Sequence, residues 1–128
     1  MLRLLIADSD PAVCQTLRRY FSDQGHHVQT EENPFLLEPR IASYHPDLTF
    51  VDLSLADRSG VDIFSGIHER GFRSPIVFMT DLRNPEHARK VRVMDILSVI
   101  VKPFDYDQID RIVSLIETQR RVRAVAAA

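Results

Sequence analysis

Glycine is scarce in this chain, four residues in 128, and none of them builds a phosphate-binding loop. Asp8-Ser9-Asp10-Pro11 follows the first apolar run, where a dinucleotide fold or a P-loop enzyme would carry closely spaced glycines. Cysteine is scarcer still. Cys14 stands alone, which excludes an intramolecular disulfide, and a reducing cytoplasm is the simplest compartment. It falls in a helical pattern and reads as a small core residue rather than a nucleophile. Long hydrophobic runs are also missing. No stretch approaches the length of a membrane span, and the opening Met1-to-Ile6 run is too short for a signal peptide, with Asp8 and Asp10 close behind it. Charge of one sign is missing too. A formal charge of −2 gives no strong pull toward nucleic acid or an anionic membrane. The histidines, His26, His27, His45, His68 and His87, show no metal-ligand spacing and read as surface or loop residues.

What is present is an alternation of short apolar runs with longer helical patterns, in a chain whose length suits one domain and one core. Arg3 to Ala7 reads as a first strand. Asp10-Pro11 then supplies an N-cap and a proline at the first helical position, and Val13, Leu17, Tyr20 and Phe21 share a helical face until Gly25 ends it. His27 to Thr30 is a modest second strand, and Pro34 to Tyr44 a weak helix that Pro39 should kink or shorten. Leu48 to Val51 is a third strand, followed by a loop from Ser54 to Ser59 and a helix from Gly60 through Ile67. Ile76 to Met79 is a fourth strand, Asn84-Pro85-Glu86 opens another helix, and Ser98 to Val101 is a fifth strand. A last helix starts near Tyr106, with Ile109, Ile112, Val113 and Ile116 on one face. The expected division is one domain over residues 1–119 and a basic tail or linker stub over residues 120–128, frayed at its alanines. Five strand–helix units imply an α/β fold, a doubly wound five-stranded parallel sheet with helices on both faces.

In such a sheet the carboxyl ends of the strands share one edge, where ligands bind. Asp8, Asp52, Thr80 and Lys102 each follow or end a different apolar run, so the fold converges them from far apart in sequence. Carboxylate oxygens at strand ends suit a hard ion such as Mg²⁺. A lysine ammonium can bind phosphoryl oxygens as a point charge, and a threonine hydroxyl can donate to another. Together they could hold an in-line phosphoryl transfer onto an aspartate. Taken one at a time, these residues have plainer readings: each aspartate a turn or cap, Lys102 a solvated loop residue, Thr80 a strand former.

The order and spacing of Ile6-Ala7-Asp8-Ser9-Asp10-Pro11, Pro46 to Leu53, Ser59-Gly60, Pro75 to Thr80 and Val101-Lys102-Pro103-Phe104 resemble the receiver domain of bacterial two-component response regulators, over about Leu2 to Thr118. The resemblance implies a flavodoxin-like five-stranded fold that accepts a phosphoryl group from a histidine kinase or phosphotransfer protein. It is a signalling domain and not an enzyme beyond self-catalysed transfer and dephosphorylation. It implies Asp52 as phosphoacceptor and a Mg²⁺ site from Asp8, Asp52 and the Ser54 backbone carbonyl, with Asp10 as a further candidate. Thr80 and Lys102 are implied as the switch and phosphate-contacting residues, with a Lys102-Pro103 bond that is often cis in the family. Three positions of the site depart from the pattern. Ser9 stands where a second acid normally ligates the metal, which should weaken Mg²⁺. Asp81 stands where a small residue borders the pocket, and Val99 replaces the aromatic switch residue. Asp10 matches an acid that often follows the pair, though capping the helix is its simpler role.

Two functions follow. In the first, phosphorylation at Asp52 switches a protein-interaction surface made by the fourth helix, fifth strand and last helix, which could also pair two copies weakly. In the second, a degenerate receiver keeps the fold as a phosphorylation-independent interaction module; Ser9, Asp81 and Val99 favour it, while Asp52, Thr80 and Lys102 oppose it. A small-molecule or nucleotide binder on the same fold has no phosphate loop behind it. The expected partners are a kinase and an output domain or effector, with no direct nucleic acid binding and no membrane. The basic Arg120-Arg121-Val122-Arg123 run reads as a complement to a helix C-terminus.

Overall fold

The computed structural model describes residues 1–53, 69, 71, 74–80 and 98–127. Within them the order is β1 (Arg3–Ala7), α1 (Pro11–Asp23), β2 (His27–Glu31), a 3₁₀ turn (Pro34–Leu36), α2 (Leu37–Tyr44), β3 (Leu48–Asp52), β4 (Ile76–Thr80), β5 (Ser98–Val101) and α3 (Tyr106–Ala127). The five strands form one sheet in the order β2-β1-β3-β4-β5, and every neighbouring pair is parallel. The helices expected after Gly60 and after Asn84 lie outside the described residues.

Strand side chains alternate between two cores, as the period of two requires. Leu4, Ile6, Leu48, Phe50, Val77, Met79 and Ile100 pack with Cys14, Leu17 and Phe21 of α1 and with Ile109, Ile112, Val113 and Ile116 of α3. Leu5, Ala7, Val51, Ile76 and Phe78 pack instead with Leu37, Ile41 and Tyr44 of α2, and half-buried Val99 joins them. Fully burying a side chain such as Phe50 contributes about 1.5–3 kcal/mol. Both faces of β3 and β4 are covered throughout, which is why their sequences read as unbroken apolar runs.

Local chemistry sets the ends of α1. The Asp10 carboxylate accepts from the Ala12 N–H at 2.9 Å, with Pro11 opening the helix. At the other end Gly25 takes φ 89°, a left-handed turn that glycine adopts without strain, and its N–H caps the Ser22 carbonyl.

Four sequence expectations need correction. Pro39 does not kink α2, though the α-helix is shorter than expected and starts at Leu37: the proline sits in the first turn, where its missing N–H has no helical partner to lose. The segment before it tightens into the 3₁₀ turn, capped by Asn33. Second, β2, β3 and β4 each run one residue further than their apolar stretches, taking in Glu31, Asp52 and Thr80. Third, α3 continues past the basic run that was read as its end, so the alanines up to Ala127 are helical. Fourth, His26 is half-buried, and its Nδ1 accepts from the Leu2 N–H at 3.0 Å. Burial pushes its pKa down, so the neutral form that can accept is the one held.

Candidate functional site

The carboxyl ends of β1, β3 and β4 and the residue after β5 meet at one edge of the sheet. The pairing of the strands is carried past their ends by main-chain bonds. The Asp8 N–H donates to the Glu31 carbonyl at 3.1 Å, the Leu53 N–H to the Met79 carbonyl at 3.0 Å, and the Lys102 N–H to the Thr80 carbonyl at 2.7 Å. These bonds fix the backbone beneath the functional side chains.

Asp8 is 1% exposed, and Asp52 and Thr80 are also buried. The Lys102 ammonium donates to Asp8 Oδ2 at 2.7 Å and lies 3.7 Å from Asp52 Oδ1. A buried carboxylate needs a partner, and this lysine supplies one to both. The other Asp8 oxygen accepts from the Asp10 N–H at 2.9 Å, and the Cys14 thiol donates to the Asp8 carbonyl at 3.3 Å. Burial, and then the charge of Asp8, push the Cys14 thiol up to about 11, so it packs rather than reacts. At Lys102, burial alone would lower the pKa. The hydrogen bond to Asp8 and the charges of Asp52 and Asp8 outweigh it and raise the value. The ammonium is therefore firmly charged between two carboxylates. The Lys102–Pro103 bond is cis.

Of the positions singled out in sequence, the structure brings Asp8, Asp52 and Lys102 together and sets Thr80 at the end of the neighbouring strand. Ser9 is exposed beside Asp8. Asp10 caps the helix through its carboxylate and hydrogen-bonds Asp8 through its N–H. Ser54 and Asp81 lie outside the described residues. Val99 packs into the α2-side core, offering no ring to rotate. Sequence reasoning missed the thiol contact to Asp8. It also missed buried Glu31, whose carboxylate takes Arg40 Nη2 at 2.9 Å and the Asn33 N–H at 3.1 Å; a lone Glu after a weak strand gave no signal for either.

Two buried carboxylates are hard oxygen donors of the kind Mg²⁺ takes. No cluster of three or more acidic, histidine or cysteine side chains able to hold a metal occurs among the described residues. The two carboxylates fit an ion that keeps most of its water.

The family model of the response regulator receiver domain matches residues 4–114. The chain belongs to that family. Receivers are signalling domains that work with histidine kinases and output domains, and receiver domains generally bind Mg²⁺. This receiver is 26% identical over 111 residues to the regulatory protein AtoC of Escherichia coli, covering 87% of this chain and 24% of that one. It is 25% identical over 109 residues to the two-component response regulator PhoP of Pseudomonas aeruginosa, covering 85% of this chain and 48% of that one. The chain thus spans half or less of the length of these curated relatives. Among solved structures, a two-component response regulator from Clostridium difficile superposes with a TM-score of 0.84 at 22% identity, over 94% of this chain and 98% of that one. The receiver domain of Francisella response regulator 1452 gives 0.81 at 16% identity, over 93% and 99%. Both likenesses are of fold. No described helix is long and apolar enough to cross a membrane.

Proposed function

We propose that this receiver accepts a phosphoryl group on Asp52 from the phosphohistidine of a histidine kinase or phosphotransfer protein. The observation that supports it is the Lys102 ammonium held between the buried Asp8 and Asp52 carboxylates. In the transfer, an Asp52 oxygen bonds to phosphorus as the donor's P–N bond breaks; the leaving imidazole keeps the electron pair and takes a proton from solvent. Lys102 offsets charge on the phosphoryl oxygens, and the Thr80 hydroxyl donates to one of them in the product. Asp8 and Asp52, with the Ser54 backbone carbonyl, are the residues to hold Mg²⁺. When bound, the ion neutralises charge on the transferring group. Asp8 would serve both the ion and Lys102, and Ser9 adds no further charge, so reduced affinity for Mg²⁺ is expected.

The product adds about −1.5 to −2 charge at Asp52. Thr80 and Lys102 move toward it and bias the surface around β5 and the last helix, which passes the signal to an output domain or effector in the cytoplasm. Treatment with acetyl phosphate and millimolar Mg²⁺, followed by Phos-tag electrophoresis and intact-mass analysis, tests this. A phosphorylated form is expected in the wild type and not in Asp52→Asn. A wild type that stays unmodified under these conditions would overturn the reading and leave the degenerate receiver, an interaction module without a phosphoryl cycle.

A further inference from the structure

Asp8 is held at every polar group it has, from four different places in the fold. Its N–H donates to the Glu31 carbonyl at the end of β2 at 3.1 Å. Its Oδ1 accepts from the Asp10 N–H at 2.9 Å, and its Oδ2 from the Lys102 ammonium at 2.7 Å. Its carbonyl accepts from the Cys14 thiol at 3.3 Å, and no other hydrogen bond to that carbonyl occurs among the described residues. The Glu31 and Asp10 partners are main-chain groups that any sequence would supply, and Lys102 already has a part in the transfer. Cys14 is the partner that depends on side-chain identity alone. It is buried on the inner face of α1 with Leu17 and Phe21. Alanine or valine would also fill an apolar position there, but neither can donate to a carbonyl. Asp8 is itself buried, so solvent has little access to replace the thiol.

We propose that Cys14 is a positioning residue for the phosphoryl site, its thiol fixing the Asp8 carbonyl and with it the direction in which the Asp8 carboxylate points. This role rests on the reading of Asp8 as an ion ligand beside the phosphoacceptor Asp52. The Asp8 carbonyl belongs to the peptide that leads into Ser9, and the next peptide supplies the Asp10 N–H that binds Oδ1. Turning the first peptide moves the second, and the carboxylate then loses one of the two donors that aim it. The thiol opposes that turn from a firm base. The Cys14 N–H donates to the Asp10 carbonyl at 3.2 Å, and the Asp10 carboxylate caps the same helix at Ala12. Residues 8 to 14 thus form one closed unit, and the thiol bond closes it. A site that must take an ion and a phosphoryl group gains from carboxylates whose direction is set before either arrives. Neutral Ser9 shares none of that task.

Three variants test the role. Cys14→Ala removes the donor, and Cys14→Ser restores one. Leu17→Val thins the same buried helix face, where no hydrogen bond to Asp8 is at stake, and so lowers stability without touching the aim of the carboxylate. The first readout needs neither ion nor phosphate. The Asp10 amide proton, whose NMR shift reports its bond to Asp8 Oδ1, is expected to move upfield in Cys14→Ala and to hold its place in the other two. In calorimetric titration, Cys14→Ala is expected to bind Mg²⁺ about threefold to tenfold more weakly, less than the usual loss of an outer-shell partner because a thiol is a weak donor. Cys14→Ser and Leu17→Val should stay within about twofold of wild type. Phosphorylation by acetyl phosphate at subsaturating Mg²⁺ should slow in the same order. An Asp10 amide that does not move in Cys14→Ala, Mg²⁺ affinity equal in Cys14→Ala and wild type, or a loss in Cys14→Ser or Leu17→Val as large as in Cys14→Ala would each overturn the role of the thiol. A wild type that binds Mg²⁺ but stays unphosphorylated overturns the reading of Asp52 instead, and the amide and Mg²⁺ results still decide the role of Cys14. A wild type that binds no Mg²⁺ overturns both.

Discussion

Ser9 sits exposed beside the most deeply buried carboxylate of the site. Its hydroxyl is a neutral oxygen donor, so Asp8 and Asp52 carry the negative charge there and Lys102 already offsets part of it. Adding a carboxylate at this position raises the charge offered to a divalent cation by one. Ser9→Asp is therefore expected to tighten Mg²⁺ binding by about tenfold, or ~1.4 kcal/mol, measured by calorimetric titration with Asp52 unphosphorylated. The chain has no tryptophan to report the titration by fluorescence, which makes heat or NMR shifts the practical readout. Unchanged affinity in Ser9→Asp would place residue 9 away from the cation. Val99 is the companion case. Its substitution for an aromatic was visible in sequence, and its packing against the cluster around α2 assigns it to that core.

At the scale of elements, α1 is tied to the site through its first residues. Asp10 does two jobs with two different groups: its carboxylate caps the helix at the Ala12 N–H, and its own N–H donates to Asp8 Oδ1. Asp10→Ala removes the first and keeps the second, at an expected cost of about 1 kcal/mol. Asp10→Asn keeps the cap and should be nearly neutral in a thermal melt. If capping is the whole role of the side chain, Mg²⁺ affinity is the same in Asp10→Asn as in the wild type; a marked loss would place Asp10 at the cation site. The elements themselves were legible where burial writes an unambiguous pattern. Strands covered on both faces, such as Leu48 to Val51, gave their positions from apolar runs alone, and the Asp10-Pro11 start of α1 was readable from cap chemistry. Their last residues were not, because Asp52 and Thr80 belong to strands by pairing with Met79 and Val101 and not by hydrophobicity. The alanine end of α3 was missed for the same kind of reason: the inward apolar period stops at Ile116 and the basic run at Arg123, while the backbone helix goes on to Ala127. The convergence of Asp8, Asp52 and Lys102 was legible because parallel topology dictates it, but the thiol bond from Cys14 and the role of Glu31 depend on packing that no local pattern encodes.

Across the whole molecule, Lys102 ties together strands that do not pair with each other. It follows β5, at one edge of the sheet, and its ammonium reaches Asp8, which follows β1 on the far side of β3 and β4. Replacing it with Met removes the tie and leaves two buried carboxylates facing each other. Breaking a buried ion pair costs about 3–5 kcal/mol, but the lysine side chain is 24% exposed, and solvent screening reduces the expected loss to roughly 1–3 kcal/mol near neutral pH. For a domain of this size that lowers the Tm by roughly 3–15 °C. The sign of the pH dependence follows from the raised pKa of Lys102, whose burial is outweighed by the hydrogen bond to Asp8 and the charges of Asp52 and Asp8. A base whose folded-state pKa lies above its unfolded value contributes stability that is full below the unfolded value, here 10.5, and lost as pH rises through the folded one. From neutral pH upward, the gap in Tm between wild type and Lys102→Met should thus be constant up to that pH and narrow above it. The buried Tyr44 hydroxyl and the Asp110-bonded Tyr20 hydroxyl, both raised, also titrate on the alkaline side. They are present in both proteins and cancel in the difference. Melts of the two proteins across the alkaline range check this, and a gap that stays constant as the wild-type lysine deprotonates would mean that its length and packing, and not its charge, hold β1 and β5 together.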